Sequence, residues 1–340
     1  MMRPKPGFAA CALALACAWA AATATGAEKG DNAVFDLQGH RGGRGLRPEN
    51  TLAAFTRALE LGVRTLELDC AVLKDGVVVV SHDSTLNPDI TRDASGKYLE
   101  TAGPPLLTLS FAELQQYDVG RLRPGSEYSS RFPDQRAVDG ERIPRLSDVY
   151  ALVQRSGNRD VRFNVETKLD PLQPELTVAP MPFVKALLAV IHDSGMESRT
   201  TIQSFDWRTL ALVRELAPGL ATVALTDQQS GEDTMEVGKP GASPWLGGLD
   251  VDDYGGSVPK AVKAIGAAVW SPNALDLDAR VVAEAHALGL AVIPWTVNDP
   301  QDMKRLLELG VDGMISDRPD LLRAVLQARD IAVPAPTPMQ

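Results

Sequence analysis

From residue 34 onward, short β-branched apolar runs alternate with stretches whose apolar positions recur every three or four residues. The runs predict strands over 34–38, 65–69, 161–166, 200–204, 221–225, 268–271, 292–296 and 313–316. The longer periodic stretches predict helices over 48–61, 182–194, 206–216, 278–288, 300–309 and 319–327. The first of these has Pro48 at its start and Gly62 just past its end, the usual asymmetry of helix punctuation. Strands alternating with helices argue for a parallel α/β architecture, and eight strands is the number that closes a TIM-type (β/α)8 barrel. A doubly wound open sheet is the alternative, but no glycine-rich phosphate fingerprint of the kind that fold favours follows the first strand.

Two stretches interrupt the alternation. Residues 87–146, rich in Pro, Gly, Arg and Asp, are too long for a plain connection and predict a small inserted subdomain between the second and third barrel strands. Residues 227–257 are acidic and glycine-rich, with Trp245 and Tyr254, and read as a solvated loop ahead of the alternative that they shape substrate entry. The barrel domain is expected to span 33–330, followed by a disordered, proline-rich tail at 331–340.

Polar residues break the apolar runs at particular places. Asp75-Gly76 is a strong two-residue turn signal between β-rich runs. A turn centred there pairs Lys74 with Val77 and sets Asp69 opposite His82. Glu67 and Asp69 are two residues apart and so share a strand face. His40-Arg41 follows the first strand, and Glu166, Lys168, Gln203 and Trp295 also fall at predicted C-terminal strand ends, the face that carries active sites in barrels. Two acids beside a histidine, with a second histidine and an arginine nearby, suit a hard metal ion and proton transfer on an anionic substrate.

Composition narrows the setting. Residues 1–27 combine Arg3 and Lys5, an Ala/Leu-rich stretch and small residues at Ala22, Ala24 and Ala27, which predicts a cleaved signal peptide rather than a transmembrane anchor. The mature protein is then periplasmic or secreted, with no stable membrane insertion. Cys11 and Cys17 leave with the signal, so Cys70 has no internal disulfide partner. Loss of Arg3 and Lys5 takes the formal charge from -10 to -12 (-10 minus two cations), a poor balance for binding nucleic acid or an anionic membrane.

The motifs His40-Arg41-Gly42, Pro48-Glu49-Asn50-Thr51, Glu67-x-Asp69, Lys74-Asp75-Gly76 and His82-Asp83 come in this order along the chain. Asn164-Val165-Glu166-Thr167-Lys168, Gln203-Ser204-Phe205, Trp295-Thr296-Val297-Asn298 and the run from Asp312 to Pro319 follow. Together they resemble the glycerophosphodiester phosphodiesterase family over essentially the whole mature chain. The resemblance implies a barrel enzyme that hydrolyses glycerophosphodiesters to an alcohol and sn-glycerol 3-phosphate with a divalent cation. It implies His40 and His82 as the acid/base pair and Glu67, Asp69 and Glu166 as metal ligands. An all-carboxylate set suits Ca²⁺ or Mg²⁺, with Ca²⁺ ranked first.

The remaining polar residues take supporting roles in this reading. Arg41 offers a planar fork to phosphoryl oxygens and Lys168 a point charge. Glu49 either serves the helix dipole or supports Arg41, Gln203 is a buried amide in need of partners, and Trp295 is barrel packing or an apolar wall for glycerol. Asp317-Arg318 is expected to cap the last helix and pair charges rather than contact substrate, and His192 and His286 to complement helix ends. Two other functions compete: a related barrel phospholipase acting on intact lipid, and a secreted protein that binds phosphodiesters without turnover. An apolar rim or basic patch at the barrel mouth would favour the first, and loss of a histidine or carboxylate the second.

Overall fold

The computed structural model describes Met1 and residues 34–339. The expected signal peptide lies outside the described residues apart from Met1. Eight of the nine strands among the described residues are parallel neighbours: β1 (Asp36–Gly39), β2 (Thr65–Val72), β4 (Arg162–Thr167), β5 (Thr200–Ser204), β6 (Thr222–Thr226), β7 (Val269–Pro272), β8 (Ala291–Val292) and β9 (Gly313–Ser316). Their order is β8-β7-β6-β5-β4-β2-β1-β9, and the ninth strand, β3 (Val78–Val80), hangs antiparallel from β2. Backbone bonds from Asp312 N to Val292 O (2.9 Å) and from Ile315 N to Pro294 O (3.0 Å) join β8 to β9. The sheet is a nearly closed (β/α)8 barrel.

The expected strands are present, most displaced by one or two residues. The eighth is shorter than its sequence suggests because Pro294 has no N–H to give the ladder. Ten helices are described: α1 (Leu52–Leu61), α2 (Phe111–Leu114), α3 (Glu127–Ser130), α4 (Leu146–Ser156), α5 (Pro180–Asp193), α6 (Trp207–Leu216), α7 (Val258–Ala264), α8 (Ala279–Ala287), α9 (Pro300–Leu309) and α10 (Pro319–Gln327). Apolar strand residues such as Leu66, Leu68, Phe163, Val165 and Ile202 join helix residues such as Phe55, Leu187 and Leu210 in one buried cluster. Glu67 and Asp69 alternate with Leu66, Leu68 and Cys70 along β2 and so face the barrel axis.

The hairpin register differs from expectation. Cys70 pairs with Val80 and Val72 with Val78, which puts Ser81 rather than His82 opposite Asp69. Gly76 takes a left-handed φ of 79°, and Leu73 and Val77 bracket a three-residue loop instead of a two-residue one. A one-residue slip would send His82 to the opposite face. The ladder ends at Ser81, whose N–H donates to Asp69 O (2.9 Å), and beyond it His82 turns into the barrel mouth.

The segment 87–146 holds α2, α3 and isolated bridges such as Arg92–Tyr98 and Arg92–Asp118. Leu106, Leu114, Val119 and Ile143 from this segment bury a second apolar cluster with Ala71, Leu73 and Val79 of the hairpin. Two loop expectations need correction. The 227–257 stretch is not simply solvated: Thr234, Met235, Ser243, Leu246 and Val251 are buried, and Ser243 Oγ donates to Thr234 O (2.7 Å). The tail expected to be disordered carries specific partners: Thr337 N donates to Leu59 O (2.9 Å) and Thr337 Oγ1 accepts from Asn158 Nδ2 (2.7 Å).

Candidate active site

A cavity of about 680 Å³ opens at the C-terminal ends of the strands, lined by His40, Arg41, Glu67, His82, Glu166, Lys168, Gln203 and Trp295 among others. Adjacent strands set its floor. Asp69, Glu166 and Gln203 stand level with one another across β2, β4 and β5. Glu67, Asp69 and Glu166 each offer an oxygen, all within 4.8 Å of one another, and among the described residues no other His/Cys/Asp/Glu group of this kind occurs. Beside them, Gln203 Nε2 donates to Glu67 Oε1 (2.6 Å), and Asn164 Nδ2 donates to Gln203 Oε1 (2.7 Å) and Gln38 Oε1 (3.1 Å). These amides fix where the Glu67 carboxylate points.

The carboxylates repel one another. Burial, with Asp69 and Glu166 close by, pushes Glu67 well above the ordinary range. Burial and Asp69 raise Glu166 to about 7, against the pull of Lys168, whose Nζ lies 2.9 Å from Glu166 Oε1. Asp69 goes the other way: despite burial, His82, Arg41, Lys168 and the Asn50 amide hold it low. Three crowded oxygen donors, two of them pushed above the ordinary carboxylate range, fit a hard divalent cation whose charge would offset their mutual repulsion.

The turn after β1 brings His40 and Arg41 over this floor. Arg41 adopts φ 50° and Asn50 φ 56°, both uncommon for residues other than glycine. Partners hold them there: Arg41 N donates to Glu67 Oε2 (2.8 Å), Asn50 N to Arg41 O (3.0 Å) and Asn50 Nδ2 to Asp69 Oδ2 (2.9 Å). Gly42 is required where the turn crosses α1, since a Cβ there would lie 2.8 Å from Ala54 Cβ. Arg41 NH1 donates to Glu49 Oε1 (2.7 Å), so Glu49 supports the arginine from behind.

Each histidine is held by a carboxylate. His40 Nδ1 donates to Asp317 Oδ1 (2.6 Å), and His82 Nδ1 donates to Asp83 Oδ1 (2.8 Å). The donated Nδ1 proton leaves Nε2 as the ring nitrogen free to exchange a proton. Burial lowers His40, partly opposed by Asp317; burial, Arg41 and Lys168 bring His82 down to about 4. Asp317 therefore does not cap the last helix, whose N-cap is Arg318 without a side-chain cap bond. It accepts from His40, from Arg44 Nε (2.7 Å) and from Asn298 Nδ2 (2.7 Å). Arg44 and Tyr128 are given no role by the sequence reading, and Asn50 and Asn298 enter it only as members of motifs. Asp317 was within reach, because it directly follows β9 at the active face; Tyr128 carried no local signal.

The outer wall is aromatic and acidic. Phe205 meets Trp295 edge-on at 5.3 Å and Trp245 at 6.3 Å, while Asp170, Asp227, Glu232 and Asp233 also line the cavity. Trp295 Nε1 donates to Ser271 O (3.1 Å), which leaves its ring as a wall. His192 and His286 lie apart from the cavity, paired with Glu197 (2.8 Å) and Asp312 (2.9 Å).

Known proteins share this arrangement's frame. The model of the glycerophosphoryl diester phosphodiesterase family matches residues 40–321. A glycerophosphodiester phosphodiesterase of Caldanaerobacter subterraneus is 30% identical over 284 residues, 83% of this chain and 94% of the relative. A crystal structure from Silicibacter pomeroyi is similar at TM-score 0.78 and 36% identity, covering 88% of this chain and 95% of its own. An Oleispira antarctica phosphodiesterase, solved with the product sn-glycerol-3-phosphate, is 21% identical with TM-score 0.62 and shares the fold over 85% of this chain and 96% of its own. With a family match over residues 40–321 and a relative 30% identical over 83% of its length, the chain belongs to the glycerophosphoryl diester phosphodiesterase family.

Proposed function

We propose that the protein hydrolyses glycerophosphodiesters to an alcohol and sn-glycerol 3-phosphate, with His40 and His82 exchanging protons and Glu67, Asp69 and Glu166 holding a divalent cation, Ca²⁺ ahead of Mg²⁺. The observation that carries this reading is the pair of carboxylate-held histidines in one cavity with the three-carboxylate floor. When bound, a divalent cation supplies charge neutralisation and Lewis acidity for the phosphodiester. The residues do the rest. Arg41, fixed by Glu49, presents its fork to phosphoryl oxygens, and Lys168 adds charge as negative charge builds.

One imidazole takes the proton of the glycerol 2-hydroxyl, whose oxygen attacks phosphorus in line, and the other protonates the departing alcohol oxygen. The resulting cyclic glycerol phosphate is opened by water with the two roles exchanged, which regenerates both histidines. The low position of His82 reflects burial and two nearby cations, and the bound phosphate anion offsets the cations, raising its proton affinity for the task.

Segment 87–146 is read as a small subdomain beside the mouth, and residues 1–27 as the signal that sends the mature protein to the periplasm or beyond. Small-molecule substrates are favoured over intact lipid. Among the described residues, Leu172, 64% exposed, is the one strongly exposed large apolar side chain that lines the cavity. The acidic balance favours neither nucleic acid nor an anionic membrane. The test is turnover of glycerophosphocholine with and without chelator. Chelator-sensitive release of choline and glycerol 3-phosphate is expected. Cation-dependent binding without product would refute catalysis, and cleavage confined to lipid vesicles would refute the small-molecule substrate.

A further inference from the structure

Among the residues of segment 87–146 that line the cavity, Asn87, Tyr128 and Arg131, the phenol of Tyr128 is bonded toward both Arg41 and His40. Tyr128, on α3, accepts a hydrogen bond from Arg44 NH1 (3.2 Å) and donates to Glu49 Oε2. On one side, Glu49 Oε1 holds Arg41 NH1 (2.7 Å). On the other, Arg44 Nε donates to Asp317 Oδ1 (2.7 Å), the same oxygen that receives His40 Nδ1 (2.6 Å). The phenol thus stands at the middle of an unbroken series of bonds running from the phosphate-facing arginine to a histidine. Arg44 depends on the segment in other ways too: its guanidinium lies 4.9 Å over the Phe132 ring, and its carbonyl accepts from Gln135 Nε2 (2.7 Å).

We infer that Tyr128 is a positioning residue for the reaction, setting Arg41 through Glu49 and His40 through Arg44 and Asp317. This rests on the phosphodiesterase reading, which gives Arg41 and His40 their tasks. Tyr128 uses its single donor and an acceptor lone pair, one on each side. Burial and the Glu49 carboxylate push its pKa up, so it stays a donor across the working range. Phenylalanine would leave a carboxylate oxygen and a guanidinium N–H of buried groups facing each other unmet. Their opposite charges draw them together, which pulls Arg44 away from Asp317 and frees the His40 ring to turn.

The experiment compares Tyr128→Phe, Asp317→Asn and the double variant in the mature protein, with glycerophosphocholine and saturating divalent cation. Tyr128→Phe is expected to lower kcat about ten-fold with KM nearly unchanged. Because both changes share the His40 branch, the double variant should lose clearly less than the product of the two single losses. Asp134→Asn, which breaks the exposed Arg318–Asp134 pair (2.7 Å) that also ties the segment to the barrel, should keep the wild-type kcat. Wild-type kcat in Tyr128→Phe, multiplying losses in the double variant, or an equal loss in Asp134→Asn would each overturn the inference. Histidine side-chain NMR gives a readout independent of turnover. The Nδ1 proton of His40 should be protected in the wild type and exchange rapidly in Tyr128→Phe; equal protection in both would overturn the inference even if the wild type proved inactive, a result that would count separately against the function.

Discussion

Replacing Asp317 with asparagine keeps the side chain's shape and removes its charge. The carboxylate is buried and takes bonds from His40, Arg44 and Asn298 at 2.6, 2.7 and 2.7 Å. An amide whose oxygen stays at the Oδ1 position still accepts from His40 and Arg44, but as a neutral group. Breaking a buried ion pair costs about 3–5 kcal/mol. Two retained neutral bonds at about 1 kcal/mol each offset part of that, leaving a net destabilisation of about 1–3 kcal/mol. The catalytic loss is separate. A bond from His40 to a charged acceptor contributes about 1.5–3 kcal/mol, most of it when the ring is protonated, so kcat should fall roughly 10- to 100-fold. Asp317 raises His40, and without it the pH limb set by His40 moves to lower pH, whether the ring acts as acid or base. The assay is choline release across pH 5–9 at saturating cation, with calorimetry for stability. A variant that loses stability while keeping wild-type kcat, or whose limb moves to higher pH, would refute the orienting role of Asp317.

Other outcomes follow from the same geometry. His40→Ala and His82→Ala should each reduce turnover by about 10³-fold or more while the folded state persists by circular dichroism, and wild-type rates in either would end the acid/base assignment. Glu67→Gln removes one charged oxygen donor and should weaken Ca²⁺ affinity about ten-fold or more in a calorimetric titration; an unchanged titration would count against its ligand role. Without cation, Glu67 and Glu166 sit above their unfolded values, Glu166 at about 7. For Glu166 the favourable protonation is fully present below the unfolded value of about 4.3 and is lost as pH rises through about 7, and Glu67 acts in the same direction. The chelated protein should therefore lose Tm between pH 5 and 7.5, and added Ca²⁺ should raise Tm more at pH 7.5 than at pH 5; the opposite ordering would contradict the crowded-carboxylate account.

Strand-borne chemistry was legible in the sequence because period-two patterning and strand ends are local signals. Glu67, Asp69, Glu166 and Gln203 emerge from single strands, and the structure brings them together. The hairpin register was misread by one residue, since Asp-Gly serves both two-residue turns and three-residue loops with glycine left-handed. Asp317 and Tyr128 meet His40 and Glu49 across sequence separations of 277 and 79, and no local pattern encodes such encounters. The 227–257 stretch misled because its glycines and acids look solvated, while buried Leu246 and Val251 are too few to show a period.

That stretch and the strands divide the enzyme's labour. In the proposed mechanism, proton exchange and cation binding fall to residues rooted in the nearly closed sheet or the turns just beyond it, whereas Trp245, Asp227 and Asp233 reach the cavity from a separate connection after β6. Rewriting that connection would alter which alcohol the enzyme prefers to release while leaving bond cleavage itself untouched. Diversification within such a scaffold can therefore proceed one wall at a time.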